Sequence, residues 1–120
     1  MARMFLTGKD WQSRALLRAQ LLEEGVEVEA YETAREALNS VTSLANLPML
    51  ILADLGHSPG PEADIDLLSR WKKLIPAWII LPHILKIERN LQDSGIERIL
   101  LRPIDLKKLV RELKERGADR

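Results

Sequence analysis

Cysteine is missing from all 120 residues. Its absence excludes a disulfide frame, a thiolate metal site and a thiolate nucleophile, and it suits a reducing cytosol. Net charge is missing as well, because eighteen Lys and Arg balance eighteen Asp and Glu. No global field is then available to hold a nucleic acid or an anionic membrane surface. Long apolar runs are also lacking. Leu47 to Leu55 and Pro76 to Leu85 are interrupted by Pro, Asp or His and fall well short of the roughly 20 residues a spanning helix needs. The N-terminal run from Met1 to Gly8 is too short for a signal peptide and reads as a strand. There is no internal repeat, low-complexity tract or linker. What remains is a cytoplasmic chain, 46% hydrophobic, with enough apolar content for one domain over residues 1–120.

Within that chain, apolar periodicity switches regularly between strand and helix. Met4 to Thr7 is a short apolar run. Asp10 can cap a following helix in which Ala15, Leu16, Ala19 and Leu22 recur at helical spacing, and Gly25 ends it. Val26 to Tyr31 alternates apolar and polar residues, as a strand near a sheet edge does. Thr33 to Glu36 is a capping box, opening a helix with an inward stripe of Ala34, Ala37, Leu38, Val41 and Leu44.

Leu50 to Ala53 shows no alternation, which implies a central parallel strand covered on both faces. After the turn-rich Gly56–Pro61 segment, Leu67, Leu68, Trp71, Leu74 and Ile75 mark a third helix, stopped by Pro76. Trp78 to Leu81 is a second continuous strand, and Ile84, Ile87 and Leu91 a weaker helix ended by Gly95. Ile99 to Leu101 is a fifth strand, and Asp105 caps a last helix facing inward through Leu106, Leu109, Val110 and Leu113. Five strands alternating with five helices, joined by right-handed crossovers, predict an α/β doubly wound three-layer sandwich.

In such a sheet the C-terminal strand ends share one crevice. That places Asp54, which ends one apolar run, with Arg102, which closes another before Pro103.

Four segments in order resemble the receiver domain of bacterial two-component signalling: Leu21–Val28, Glu36–Leu38, Pro48–Leu55 and Ser94–Pro103. The resemblance spans nearly the whole chain. It implies the CheY-like, flavodoxin-like fold with a five-stranded parallel sheet of order 2-1-3-4-5. It also puts the family's phosphoacceptor aspartate on Asp54, and Arg102 where lysine is usual. The family's acidic pair at the end of strand one, which helps to hold Mg2+, falls on Gly8 and Lys9. Only Asp10, one position later, offers a carboxylate, and it is equally suited to capping the helix. The hydroxyl residue that senses the phosphoryl group falls on Leu81.

These departures act together through charge. Three converging carboxylates and one lysine attract a hard cation. Here Asp54 and Asp10 stand against Lys9 and Arg102, which sums to zero, or to plus one without Asp10. The expectation is therefore a pseudo-receiver with no cofactor and no metal-assisted phosphorylation, in which Lys9, Asp54 and Arg102 form a fixed cluster. An ammonium within ~4–6 Å would favour the charged form of Asp54.

Weaker candidates have simpler readings. His57 with Asp10 is a thin metal site, and His83 reads as a polar residue near a helix start. Thr7-Gly8-Lys9 precedes a helix as phosphate-binding turns do, but it lacks the glycines and the Lys-Ser/Thr ending of a P-loop. Trp11, Trp71 and Trp78 read as core or partly buried anchors, and Lys107 to Arg116 as the wet face of the last helix.

Three functions follow. The first is a non-enzymatic module acting through contacts with other signalling proteins, a histidine kinase or an output protein. It would dimerise through the fourth helix, fifth strand and last helix, as the resemblance implies. The second is a phosphorylatable receiver with Asp54 as acceptor and Mg2+ as cofactor. The third is a small α/β enzyme or ligand-binding protein using the strand-end crevice, for which no nucleophile and base pair is evident. With no output domain after the last helix, any effect is expected to pass through another chain.

Overall fold

The continuous apolar runs form the middle of a five-stranded, wholly parallel sheet in the computed structural model, which describes residues 3–82 and 94–118. The strands are β1 (Met4–Gly8), β2 (Val28–Tyr31), β3 (Ile51–Asp54), β4 (Ala77–Leu81) and β5 (Ile96–Leu101), in the order β2-β1-β3-β4-β5. The helices are α1 (Trp11–Glu23), α2 (Ala34–Asn39), α3 (Pro61–Arg70) and α4 (Leu106–Ala118), with a short 3-10 turn at Leu44–Asn46. The expected sheet order and three layers are present. The helix expected around Ile84, Ile87 and Leu91, like His83, lies outside the described residues. Among the described residues, no helix is long and apolar enough to cross a membrane.

Alternation along the central strands explains why they read as unbroken apolar runs. Met4, Leu6, Leu50, Leu52, Trp78 and Ile80 point to one face, where they meet Leu17 and Leu21 of α1 and Leu109, Val110 and Leu113 of α4. Phe5, Ile51, Ala53, Ala77, Ile79 and Leu81 point to the other, against Ala37 and Leu38 of α2 and Ile65 and Leu68 of α3. Each side chain has period two, but both faces are dry, so no polar residue interrupts the run.

Several expectations on the helices are corrected. The stripe Ala15, Leu16, Ala19, Leu22 does not face the core; Leu17 and Leu21 do, while Leu16 is 61% and Leu22 42% exposed. α2 stops at Asn39, where the Ser40 hydroxyl donates to the Ala37 carbonyl at 2.6 Å. Val41 is therefore beyond the helix, and Leu44 sits in the 3-10 turn, 70% exposed. α3 ends at Arg70, so Trp71, Leu74 and Ile75 belong to the turns after it; Ile75 is still fully buried, whereas Leu74 is 44% exposed. β5 starts three residues earlier than expected. Of the tryptophans, Trp78 is buried and Trp71 packs partly buried against the core, but Trp11 is 64% exposed and anchors nothing.

Two glycines take left-handed backbone that other residues rarely adopt. Gly25 ends α1 with φ +83° and Gly95 precedes β5 with φ +84°. A Cβ on Gly95 would also collide with the Lys72 side chain.

Candidate functional site

Parallel register brings the strand ends together. Gly8 pairs with Asp54 across β1 and β3, Asp54 with Ile80 across β3 and β4, and Leu81 with Leu101 across β4 and β5. Asp54 and Arg102 thus meet over the end of β4, as the sheet order requires. The Arg102 Nη2 group donates to Asp54 Oδ2 at 2.5 Å, and the Arg102 backbone N–H donates to the Leu81 carbonyl at 3.0 Å. The other carboxylate oxygen, Oδ1, accepts from the Gly56 N–H at 3.0 Å, closing the turn after β3. The Asp54 side chain is 15% exposed and that of Arg102 37%. Both oxygens of the Asp54 carboxylate therefore carry a donor.

The expected third member of the cluster is elsewhere. Lys9 Nζ donates to Glu32 Oε1 at 2.7 Å, with both side chains about half exposed, so Lys9 is not the direct partner of Asp54. The reason is visible in the sheet order. β1 lies between β2 and β3, so a residue just past its end has acids on either side, and Thr7 pairs in register with Tyr31 next to Glu32. Lys9 and Glu32 stabilise each other's charged forms: Lys9 is pushed up from the usual lysine value and Glu32 is held below the usual glutamate value, each by the hydrogen bond to the other. Glu32 was not a candidate from sequence. Its position directly after a strand and before the Thr33 cap was the available signal.

Asp10 is occupied at the start of α1. Its Oδ2 accepts from the Ser13 N–H at 3.1 Å and from the Ser13 hydroxyl at 2.6 Å. Those bonds hold its carboxyl below the usual aspartate value, with a smaller contribution from the charge of nearby His57. Gly8, on the other position of the expected acidic pair, has Asp54 Cβ and Arg14 Cβ within ordinary contact of where its own Cβ would stand. Leu81 is buried with the core beneath α2 and α3 and brings no hydroxyl to the crevice.

Beside Asp54, away from Arg102, lies a cleft of about 260 Å³ lined by Thr7, Lys9, Glu32, Ser58 and Asp64 among others. The Ser58 hydroxyl donates to Asp64 at 2.5 Å and accepts from the Gly60 N–H at 3.2 Å, so the Gly56–Pro61 loop is held on α3.

The donor set does not fit a magnesium ion. A hard cation wants several oxygen ligands with negative charge. Here one carboxylate is already bonded by a guanidinium, the next caps a helix, and a lysine stands on the acidic-pair position. No group of three or more His, Cys, Asp or Glu among the described residues is placed to hold a metal.

No protein-family model and no curated protein matches the sequence. Solved structures do match. A CheY-like response regulator receiver domain protein from Methanospirillum hungatei superposes with a TM-score of 0.81 at 21% identity, covering 99% of this chain and 95% of that one. The receiver domain of a Francisella response regulator gives 0.77 at 17% identity over 97% and 96%, and a response regulator from Thermotoga maritima 0.74 at 16% over 97% and 98%. Near-complete coverage of both partners by a common strand order gives this chain the receiver-domain, CheY-like fold.

Proposed function

We propose that this chain is a receiver-type signalling module of the two-component kind that works through contacts with other proteins and does not undergo metal-assisted phosphorylation at Asp54. One observation carries the reading: Arg102 and the Gly56 N–H hold both oxygens of the carboxylate that sits on the phosphoacceptor position. Phosphoryl transfer to a carboxylate depends on a free attacking oxygen and on positive charge gathered around the transferring group, much of it supplied by a metal. Here each carboxylate oxygen already carries a donor, and the positive charge of Arg102 is spent on the carboxylate itself rather than left for a transferring group. Arg102 fixes the carboxylate in one arrangement, much as a permanently engaged lysine-type contact would. The signal is then the shape of the strand-end surface, and the partners are signalling proteins that read it.

The test is intact-mass measurement after incubation with acetyl phosphate, with and without Mg2+. The expected result is no magnesium-dependent gain of a phosphoryl group. A gain that requires Mg2+ and disappears in Asp54→Asn would replace this reading with that of a phosphorylatable receiver.

A further inference from the structure

Behind Arg102, on the face away from the cleft beside Asp54, a second cavity of about 550 Å³ opens between α1 and the start of α4. Its size lies in the range of roughly 300–1,000 Å³ usual for small-molecule sites. Leu16, Leu17, Ile104 and Leu106 line it, together with two side chains that have donors to spare. Arg102 uses one guanidinium nitrogen on Asp54, and its side chain has no other partner among the described residues. The Gln20 side chain has no hydrogen-bond partner among the described residues. Ser13, also at the wall, is committed to Asp10.

We propose that this cavity binds a small apolar monocarboxylate, with the carboxylate on Arg102 and Gln20 and the tail against the leucines and Ile104. A planar guanidinium with unused N–H groups matches a carboxylate, which it can hold with two parallel bonds. A single cation, already facing the negative charge of Asp54, is poorly matched to a doubly charged phosphate. Apolar walls demand an apolar body. Leu16, 61% exposed on α1, becomes the side chain that the tail covers.

The site shares its guanidinium with Asp54, so ligand and Asp54 compete for it. Binding loosens the Asp54–Arg102 contact and gives the strand-end surface a second, ligand-dependent state. This inference stands apart from whether Asp54 is ever phosphorylated, because it concerns a different cavity and a different chemistry.

Titration of the isotopically labelled full chain with hexanoate and with phenylacetate, followed by amide and Arg Nε–H shifts, tests it. Saturable shifts are expected at Ser13, Gln20, Arg102 and Ile104, with a dissociation constant on the order of 1 mM or tighter. Hexanol and hexylammonium should bind at least about tenfold more weakly. Leu16→Gln, a change on an exposed position that leaves the fold intact, should weaken hexanoate severalfold, and Arg102→Met should abolish binding. Asp54→Asn should tighten it by roughly 3–10-fold, since both a competitor and a repelling charge are removed. No saturation by about 20 mM, far above the expected constant, would overturn the proposal, as would hexanol binding as well as hexanoate or unchanged affinity in Arg102→Met. Unchanged or weaker binding in Asp54→Asn would overturn the competition.

Discussion

Helices α1 and α4 are each thirteen residues long and lie on the same face of the sheet, yet they use their apolar residues differently. α4 buries Leu109, Val110 and Leu113, leaves Leu106 half-buried, and turns Lys107, Lys108, Arg111 and Lys114 to water. α1 buries only Leu17 and Leu21 and leaves Trp11, Leu16 and Leu22 exposed. The sheet offers α1 a narrow strip, because its contacts run to β1 and β2 at one side. A helix with more apolar residues than its strip can cover must leave some outside. Those residues then contribute to surface chemistry, and Leu16 lines the cavity beside Arg102.

The largest expected effect follows from that contrast. Leu21→Ala and Leu113→Ala each remove a fully buried side chain and should destabilise the chain by about 2–5 kcal/mol. Leu16→Ala and Leu22→Ala, of identical chemistry, should stay within about 0.5 kcal/mol of the parent. Urea denaturation followed by far-UV circular dichroism reads all four. Comparable losses at Leu16 and Leu21 would mean that α1 packs on its other face, and the comparison would fail.

Next come the polar ties. α4 is fastened to β5 by Arg98, whose Nη2 donates to Glu112 Oε1 at 2.9 Å while its guanidinium lies 5.9 Å over the Trp78 ring. Arg116 and Glu97 add a second pair at 3.1 Å. Among the described residues, α1 has one side-chain tie to the sheet, Arg14 Nη1 donating to the Gly8 carbonyl at 2.5 Å. Glu112→Ala should cost about 1 kcal/mol, since the Arg98–Glu112 pair is only partly shielded from solvent. Adding Arg98→Ala to it should cost less than the sum of the two single changes. Additive losses in that double-mutant cycle would show the pair to be idle and leave α4 held by its apolar stripe alone.

How far the sequence revealed this molecule follows the same division. Strands β3 and β4 were legible because two dry faces impose an unbroken apolar run. The last helix was legible because, from Lys107 to Arg116, charge occupies every position that the core does not, and Asp105 caps it as expected, accepting from the Lys108 N–H at 3.1 Å. The sequence of α1 is ambiguous, since two apolar stripes of similar quality compete and only the sheet decides between them. At the strand ends, Asp54 and Arg102 could be paired from topology. Lys9 could not be assigned, because β1 has an acid on each flank and the choice between Glu32 and Asp54 rests on side-chain direction past the strand, where periodicity no longer applies. The cavity behind Arg102 is lined by the ambiguous face of α1 and is not legible in the sequence for that reason.

The smallest effect separates the two helices by pH. At α1, the Ser13 hydroxyl and N–H hold the Asp10 carboxyl below its ordinary value of 3.8. A carboxyl with a depressed folded-state pKa favours the folded state above its ordinary value, and that preference is lost as pH falls through the folded value. Glu32, depressed by Lys9, behaves alike on the acid side, whereas Lys9, raised above 10.5, favours the folded state below that value and loses the effect as pH climbs through the folded one. The first turn of α1 should therefore fray in acid before the core opens, whereas the Lys9–Glu32 link weakens at both extremes. Carboxyl-carbon NMR across an acid titration is expected to place the Asp10 midpoint below 3.8 and the Glu32 midpoint below 4.5. Asp10→Asn keeps an acceptor at the cap and should remove the acid dependence of the α1 first-turn amides without disturbing α4. An Asp10 midpoint at or above 3.8 would show that Ser13 does not hold the carboxylate, and the start of α1 would then depend on the strand turn before it and on Arg14.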